Sequence, residues 1–325
     1  MIRLILNARV SNHVSDDAIK EFEKAILSDP QVKPANGDRG IDRLLGAFVW
    51  RLYERATIRP LSKLFVVSPF SDRNEYFAIL MGIRPPRKCM PYFAFNKRKH
   101  LYLFDAWPEY HDDIREFVHL YKVRSLHVSS QQAAEQLRES CQCPVFWVPE
   151  GINPLDYFFF SQEKKDIDVI EFGRKHMSYH DSIKNVLKDS RKVHLYEKIR
   201  GEPIFKTRDA FIDGLARSKI SICIPCNMTH PERSGDIETM TIRYLQSMLS
   251  KCLILGHAPK EMLEIFGYNP VVEIDHNDPC QQLLSLLNTY EEFVPLIERN
   301  YNLVIKNHTW DKRWETIKNT ISSLP

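Results

Sequence analysis

Glu238, Thr239, Met240 and Thr241 stand directly before a stretch in which Tyr244, Leu245, Met248 and Leu249 recur at helical spacing, with Met240 opening the same apolar side. A helix starting there turns its free N–H groups and the positive end of its dipole toward whatever lies in front of it, which suits an anion. Thr239 or Thr241 is placed to cap that helix. Glu238, just outside it, disfavours a phosphate and suits hydroxyl groups attached beyond one. A second set of polar residues ends two apolar runs nearer the N-terminus: Asp105 and Trp107 after 101–104, and Ser129 after 125–128. Asp105 is of the type that orients a hydroxyl or assists its proton transfer. Trp107 either stacks on a sugar ring or plugs the core beneath its loop. His127, inside an apolar alternation, reads as a satisfied core histidine.

The elements that must hold these groups are short apolar runs at 2–6, 64–67, 101–104, 125–128, 145–148, 168–172, 192–196, 220–224, 252–255 and 271–274, alternating with helical patterns. Strands alternating with helices predict an α/β class, with parallel sheets covered on both faces. A chain of 325 residues, 43% hydrophobic and 27% charged, has room for two cores. One break, VPEGINPLDYFFFSQEKKDID at 148–168, has the Pro, Gly and charged composition of a linker between two domains.

Composition also excludes functions. A formal charge of +3 is too mild for a nucleic-acid binder. The one basic cluster, Arg84, Arg87 and Lys88 with Lys97, Arg98 and Lys99, reads first as a solvated face and second as a patch for phosphates or an anionic membrane surface. No apolar run has transmembrane length, and MIRLILNARV lacks the apolar core and cleavage site of a signal peptide, so the expected location is cytoplasmic, with peripheral membrane attachment as an extension. Seven scattered cysteines fit reduced thiols, and Cys223-Ile224-Pro225-Cys226 has CxxC spacing without a second pair or ligand-spaced histidines. No metal site is expected. No G-x-G-x-x-G follows the first strand, and neither a Walker A sequence nor G-x-S-x-G occurs, which removes the main support for dinucleotide, NTPase and serine-hydrolase readings.

Four segments in order carry a family resemblance: Val148-Pro149-Glu150-Gly151-Ile152-Asn153, Glu171-Phe172-Gly173-Arg174, Glu238 through Leu255, and His308-Thr309-Trp310-Asp311-Lys312-Arg313. Together they resemble the interdomain stretch, strand-Gly-Arg motif, E-x7-E region and H-x-W-x-x-R helix start of nucleotide-sugar glycosyltransferases with the GT-B fold, particularly retaining enzymes similar to family 4. The resemblance covers the C-terminal half well and the N-terminal half poorly. It implies two Rossmann-like, doubly wound parallel-sheet domains facing across a cleft: 1–150 for the acceptor, 151–308 for the nucleotide sugar, and a helix at 309–325 crossing back to the first domain.

The same resemblance assigns roles. Glu238 would contact the donor sugar, and Thr239, Met240 and Thr241 would meet diphosphate or sugar at the helix start. Arg174 would neutralise the diphosphate leaving group, without metal and with no cofactor beyond the nucleoside diphosphate sugar itself. The sequence departs from the pattern at two positions. Gln246 replaces the second Glu, which holds the ribose diol, and Tyr179 replaces a lysine whose charge would come instead from Lys175, His180 or Arg243. Arg243 reads equally as a surface ion-pair partner. The expected reaction is transfer of a sugar to a hydroxyl of a glycan or lipid-linked acceptor, with Asp105, Trp107 and Ser129 on the acceptor side. The alternatives are an inverting GT-B transferase and a non-catalytic carbohydrate- or nucleotide-binding protein.

Overall fold

The structure, a computed structural model, describes residues 1–7, 17–35, 48, 51, 74–83, 89–95, 98–199 and 201–325. The expected run 64–67 and most of the basic cluster, at 84–88 and 96–97, lie outside the described residues. The chain divides into two compact units, one running through Pro149 and including Arg313–Pro325, the other spanning Glu150–Lys312.

The first unit is a six-stranded sheet in the order β2-β1-β3-β4-β5-β6, with β1 Ile2–Ile5, β2 Val32–Pro34, β3 Glu75–Met81, β4 Lys99–Phe104, β5 Ser125–Val128 and β6 Val145–Trp147. Every pairing is parallel. All six residues of β4 are buried, as a strand covered on both faces requires. The helix Asp17–Ser28 lays Phe22 edge-on against Tyr102 of β4, with ring centroids 5.1 Å apart. The end of the last helix belongs to this unit: Trp314 packs 5.2 Å from Phe77 and donates through Nε1 to Asp29 at 2.9 Å. Lys318 pairs with the same carboxylate at 2.7 Å, and these contacts hold the Asp29 carboxyl below its ordinary value although burial raises it.

The second unit is a five-stranded parallel sheet in the order β11-β10-β9-β7-β8: β7 Ile167–Glu171, β8 His194–Tyr196, β9 Ser218–Cys223, β10 Leu253–Gly256 and β11 Val272–Glu273. The strand order reverses between β7 and β9, and in open α/β sheets ligands bind beyond the carboxyl ends of strands at such a reversal. Within 148–168, Ile152 forms a parallel bridge to Thr309, and a Cβ on Gly151 would lie 2.9 Å from the Trp310 nitrogen, so only glycine allows that approach. Lys165 is buried, and its ammonium donates to the carbonyls of Ala216, Ser218 and Ser250 at 3.0, 2.7 and 2.8 Å. Burial lowers its pKa, yet three carbonyls satisfy its three protons.

Strands appear at nine of the ten expected runs, displaced by one or two residues at their ends. Two strands were not anticipated, β2 and β3. The β3 segment EYFAILM has no alternation and mixes in Ala, Leu and Met, so period alone does not separate it from a buried helix.

Candidate functional site

Two loops leave the carboxyl ends of β7 and β9 side by side, and Arg243 ties them together. Its guanidinium donates from Nη1 to the carbonyls of Phe172 at 3.2 Å and Arg174 at 3.4 Å, and from Nη2 to that of Ile224 at 3.0 Å. The side chain comes from the first turn of the helix Ile242–Leu249 and is 9% exposed. Among the described residues no carboxylate pairs with it, so the surface ion-pair reading is replaced by a buried backbone clamp. Gly173 makes the clamp possible: it adopts φ 77°, and a Cβ there would lie 3.1 Å from Arg243 Cδ. Tyr244, the next residue, donates its hydroxyl to the carbonyls of His257 at 2.7 Å and Cys223 at 3.3 Å, and burial raises its pKa well above the ordinary phenol value. Adjacent positions on one helix thus fix the loops after β7, β9 and β10.

The helix itself begins at Ile242, with Thr241 at the N-cap position in extended conformation. Neither threonine caps it. The Thr241 side chain makes no capping bond, and the Ile242 amide donates to Glu150 at 2.5 Å. One step earlier, Glu261 accepts from the Met240 amide at 2.6 Å and from the Thr239 hydroxyl at 2.9 Å. Both carboxylates are buried, so the dipole that would attract a ligand anion is already met by two anionic side chains of the chain itself. The Met240 side chain is in the core. Sequence reasoning missed Glu150 and Glu261 as partners of this helix because they lie 92 and 21 residues away from the amides they bind.

Glu238 is mostly shielded but reaches solvent. Its Oε2 accepts from the Lys260 amide at 3.2 Å, and its Oε1 lies 3.9 Å from His257 Nε2. His257 in turn meets Glu273 at 3.1 Å. The carboxylate therefore stands at the start of the helix Lys260–Phe266, beside the carboxyl end of β10. Gln246 is buried and gives its amide Nε2 to the Tyr157 hydroxyl at 2.9 Å.

On the other side of the reversal, Arg174 and Lys175 follow the Gly173 turn, both partly exposed. Lys175 turns toward the end of β8, donating to the Glu197 carbonyl at 2.6 Å with its ammonium 5.2 Å from the Tyr196 ring centroid. Tyr179 and His180 are both buried in the first turns of the helix Met177–Asp189. His180 Nδ1 and His194 Nε2 each lie 2.7 Å from the same oxygen of Glu171, Oε1. Burial raises the Glu171 carboxyl, but the two imidazole contacts outweigh it and hold the group below its ordinary value.

The acceptor-side residues are in the first unit. Asp105 closes β4 at φ 49°, a left-handed conformation that Asp tolerates better than most residues. Trp107 is 1% exposed and packs inside the unit, with no partner for Nε1 among the described residues. Ser129 is buried, its amide donating to the Leu103 carbonyl and its carbonyl accepting from Trp147 Nε1. His127 is a core histidine, 2.8 Å from the Thr320 hydroxyl and 3.2 Å from the Leu101 carbonyl, and burial lowers its pKa to about 3. His308 and Trp310 are structural too: His308 stacks on Phe266 at 4.6 Å between centroids, and Trp310 is buried beside Gly151. Cys223 and Cys226 are free and buried, in keeping with a strand end.

No protein-family model and no curated protein sequence matches the chain. Solved structures do match. Anabaena Alr3699/HepE in complex with UDP-glucose is 10% identical with a TM-score of 0.57, covering 100% of each chain. AviGT4, a glycosyltransferase involved in avilamycin A biosynthesis, is 12% identical with a TM-score of 0.56, covering 99% of this chain and 97% of that one. TarM of S. aureus, in complex with Fondaparinux, alpha-GlcNAc-glycerol and UDP, is 13% identical with a TM-score of 0.53, covering 85% of this chain, which spans only 58% of TarM. The fold is therefore GT-B, built from two Rossmann-like α/β units with parallel sheets.

Proposed function

We propose that the chain is a glycosyltransferase that moves a sugar from a nucleoside diphosphate sugar to a hydroxyl of a glycan or lipid-linked acceptor. The observation that carries this reading is the clamp at Arg243. It spends a buried cation on fixing two loops at the strand-order reversal of the second unit, where a fold of this kind binds its ligand. The same fold holds UDP-glucose in HepE. In this reading the diphosphate lies at the Gly173 turn, with Arg174 neutralising the charge that grows on the leaving group and Lys175 and His180 alongside it. Glu238 accepts hydrogen bonds from sugar hydroxyls and holds the donor in the geometry for transfer. Asp105, on the first unit, orients the acceptor hydroxyl and assists its proton transfer. Retention of anomeric configuration belongs to the proposal through the resemblance of Glu238 and Arg174 to the retaining enzymes. Protein cations do the work at the diphosphate, so magnesium or manganese leaves nucleotide affinity unchanged.

Among the described residues no helix is long and apolar enough to cross a membrane. Attachment to anionic lipid through the basic stretch 84–99 is part of the proposal for a lipid-linked acceptor. It predicts salt-reversible sedimentation with anionic vesicles and none with neutral ones.

Incubation with a panel of nucleoside diphosphate sugars, followed for slow donor hydrolysis, tests the main reading. Turnover of one donor supports the transferase. A second reading, a non-catalytic binding protein, is favoured by Gln246 bonded to Tyr157 and by Glu150 and Glu261 on the helix amides. Saturable nucleotide binding with no turnover of any donor would establish it.

A further inference from the structure

Among the described residues one group of three side chains brings potential metal-ligand atoms within 4.8 Å of one another: Glu171, His180 and His194. They come from three elements. Glu171 ends β7, His194 begins β8, and His180 lies in the helix Met177–Asp189. The register makes their meeting a property of the fold, because Val169 pairs with His194 and Glu171 with Tyr196. Glu171, His194 and Tyr196 therefore share one face of the sheet, the face covered by the helix that carries His180. The Tyr196 ring closes the cluster, 4.6 Å from the His180 ring and 4.7 Å from that of His194.

Hydrogen bonding alone accounts for this cluster incompletely. Both imidazoles converge on a single carboxylate oxygen at 2.7 Å, and the Nδ1 atom of His194 is buried without a partner among the described residues. Two imidazole nitrogens and a carboxylate oxygen form the His2Glu set that holds zinc in sites with three protein ligands, where water takes the fourth position. Bonds of about 2.0 to 2.2 Å to each ligand place the ligand atoms somewhat more than 3 Å apart, so the groups need to separate by only about half an ångström to admit the ion. His194 belongs to the edge strand of its sheet and is only partly buried as a residue, which leaves a way in. A nitrogen-containing donor set of this kind disfavours magnesium and calcium, which seek oxygen.

We propose that Glu171, His180 and His194 form a binding site for a zinc-class divalent cation that pins the helix Met177–Asp189 to β7 and β8. The ion lies beneath the Gly173 turn and takes no part at the diphosphate. Its test uses no nucleotide and is independent of the proposed transferase activity.

The experiment is a titration of the metal-free full chain with cobalt(II) and then zinc. The expected result is one saturable equivalent, visible d–d absorption of four-coordinate cobalt that zinc bleaches, and a rise in Tm on loading. His194→Gln, which preserves bulk and polarity, and Glu171→Gln should each weaken binding by about tenfold or more while far-ultraviolet circular dichroism stays native. The chain also holds seven free cysteines, so the spectrum is decisive. Intense near-ultraviolet cobalt–thiolate absorption with affinity unchanged in a folded His194→Gln protein would overturn the site. Absence of saturable binding by the metal-free chain would overturn it as well, as would magnesium binding as tightly as zinc.

Discussion

The turn after β7 and the approach to the helix Ile242–Leu249 lie at the same edge of the same sheet, yet their backbones are satisfied by opposite charges. After β7 the carbonyls of Phe172 and Arg174 are taken by the Arg243 guanidinium. Before the helix the amides of Met240 and Ile242 are taken by the carboxylates of Glu261 and Glu150. Each choice follows from the orphan groups available, since strand ends offer carbonyls and helix starts offer N–H groups. The consequence for a ligand is unequal. An anion arriving at the Gly173 turn finds cations, whereas one arriving at the helix start must compete with two internal anions.

The largest expected effect breaks the link between the two loops. Arg243→Ala leaves three carbonyls without their donor, and urea unfolding should show a loss of about 3 kcal/mol or more. Arg243→Lys should recover only part of it, because one ammonium does not reproduce the planar fork. Equal stability of the alanine variant and the parent would show that the loops hold their places without the clamp.

Next comes Glu238, which borders both regions. A charged hydrogen bond to sugar is worth about 1.5 to 3 kcal/mol, so Glu238→Gln should lower sugar transfer by at least about tenfold while leaving nucleoside diphosphate affinity intact. Undiminished transfer would remove the carboxylate from the donor. Loss of nucleotide affinity along with transfer would move it to the other end of that ligand.

Acid sensitivity needs to be assigned before either loop is titrated. His127, in the first unit, has a folded pKa of about 3 against an ordinary 6.5, chiefly through burial. Between those values the unfolded chain binds more protons than the folded one. The stability it contributes is therefore fully present above about pH 6.5 and is lost as pH falls through about 3, by at most about 1.4 kcal/mol per pH unit. In His127→Phe that slope should flatten, because the ring packs between aromatic neighbours at Phe77 and Phe146 and no longer titrates. An unchanged slope would place the acid loss elsewhere.

The smallest effect sharpens the comparison most. Glu261→Gln keeps an acceptor for the Met240 amide but removes a negative charge from the helix start. Stability should fall by about 0.5 to 1 kcal/mol, and nucleoside diphosphate affinity, measured calorimetrically, should rise by about threefold if phosphate approaches that helix. Unaltered affinity would confine the diphosphate to the Gly173 turn.

Alternating apolar runs and helical periods gave the α/β class directly, since burial on both faces leaves continuous apolar strands, and the break at 148–168 is followed by a fresh strand at β7. Gly173 was legible as a turn and Met240, Tyr244, Leu245, Met248 and Leu249 as an apolar face because both are local properties of the chain. The partners of those residues were not. Arg243 is polar, one turn from a helix start and flanked by surface-type neighbours in sequence, so nothing local separates a buried clamp from an exposed ion pair; only its approach to carbonyls 71, 69 and 19 residues away decides it. Trp107 shows the same ambiguity, its burial being set by neighbours brought in by the sheet. Glu171, His180 and His194 carry no recognisable ligand spacing because three elements supply one residue each. The sequence by itself thus determined which segments become strands and helices and where the chain turns, through short-range periodicity and backbone preference. Tertiary structure decided which carboxylate, guanidinium or imidazole meets which backbone group, because those bonds depend on parallel register and on the strand-order reversal, and neither is written in any single segment.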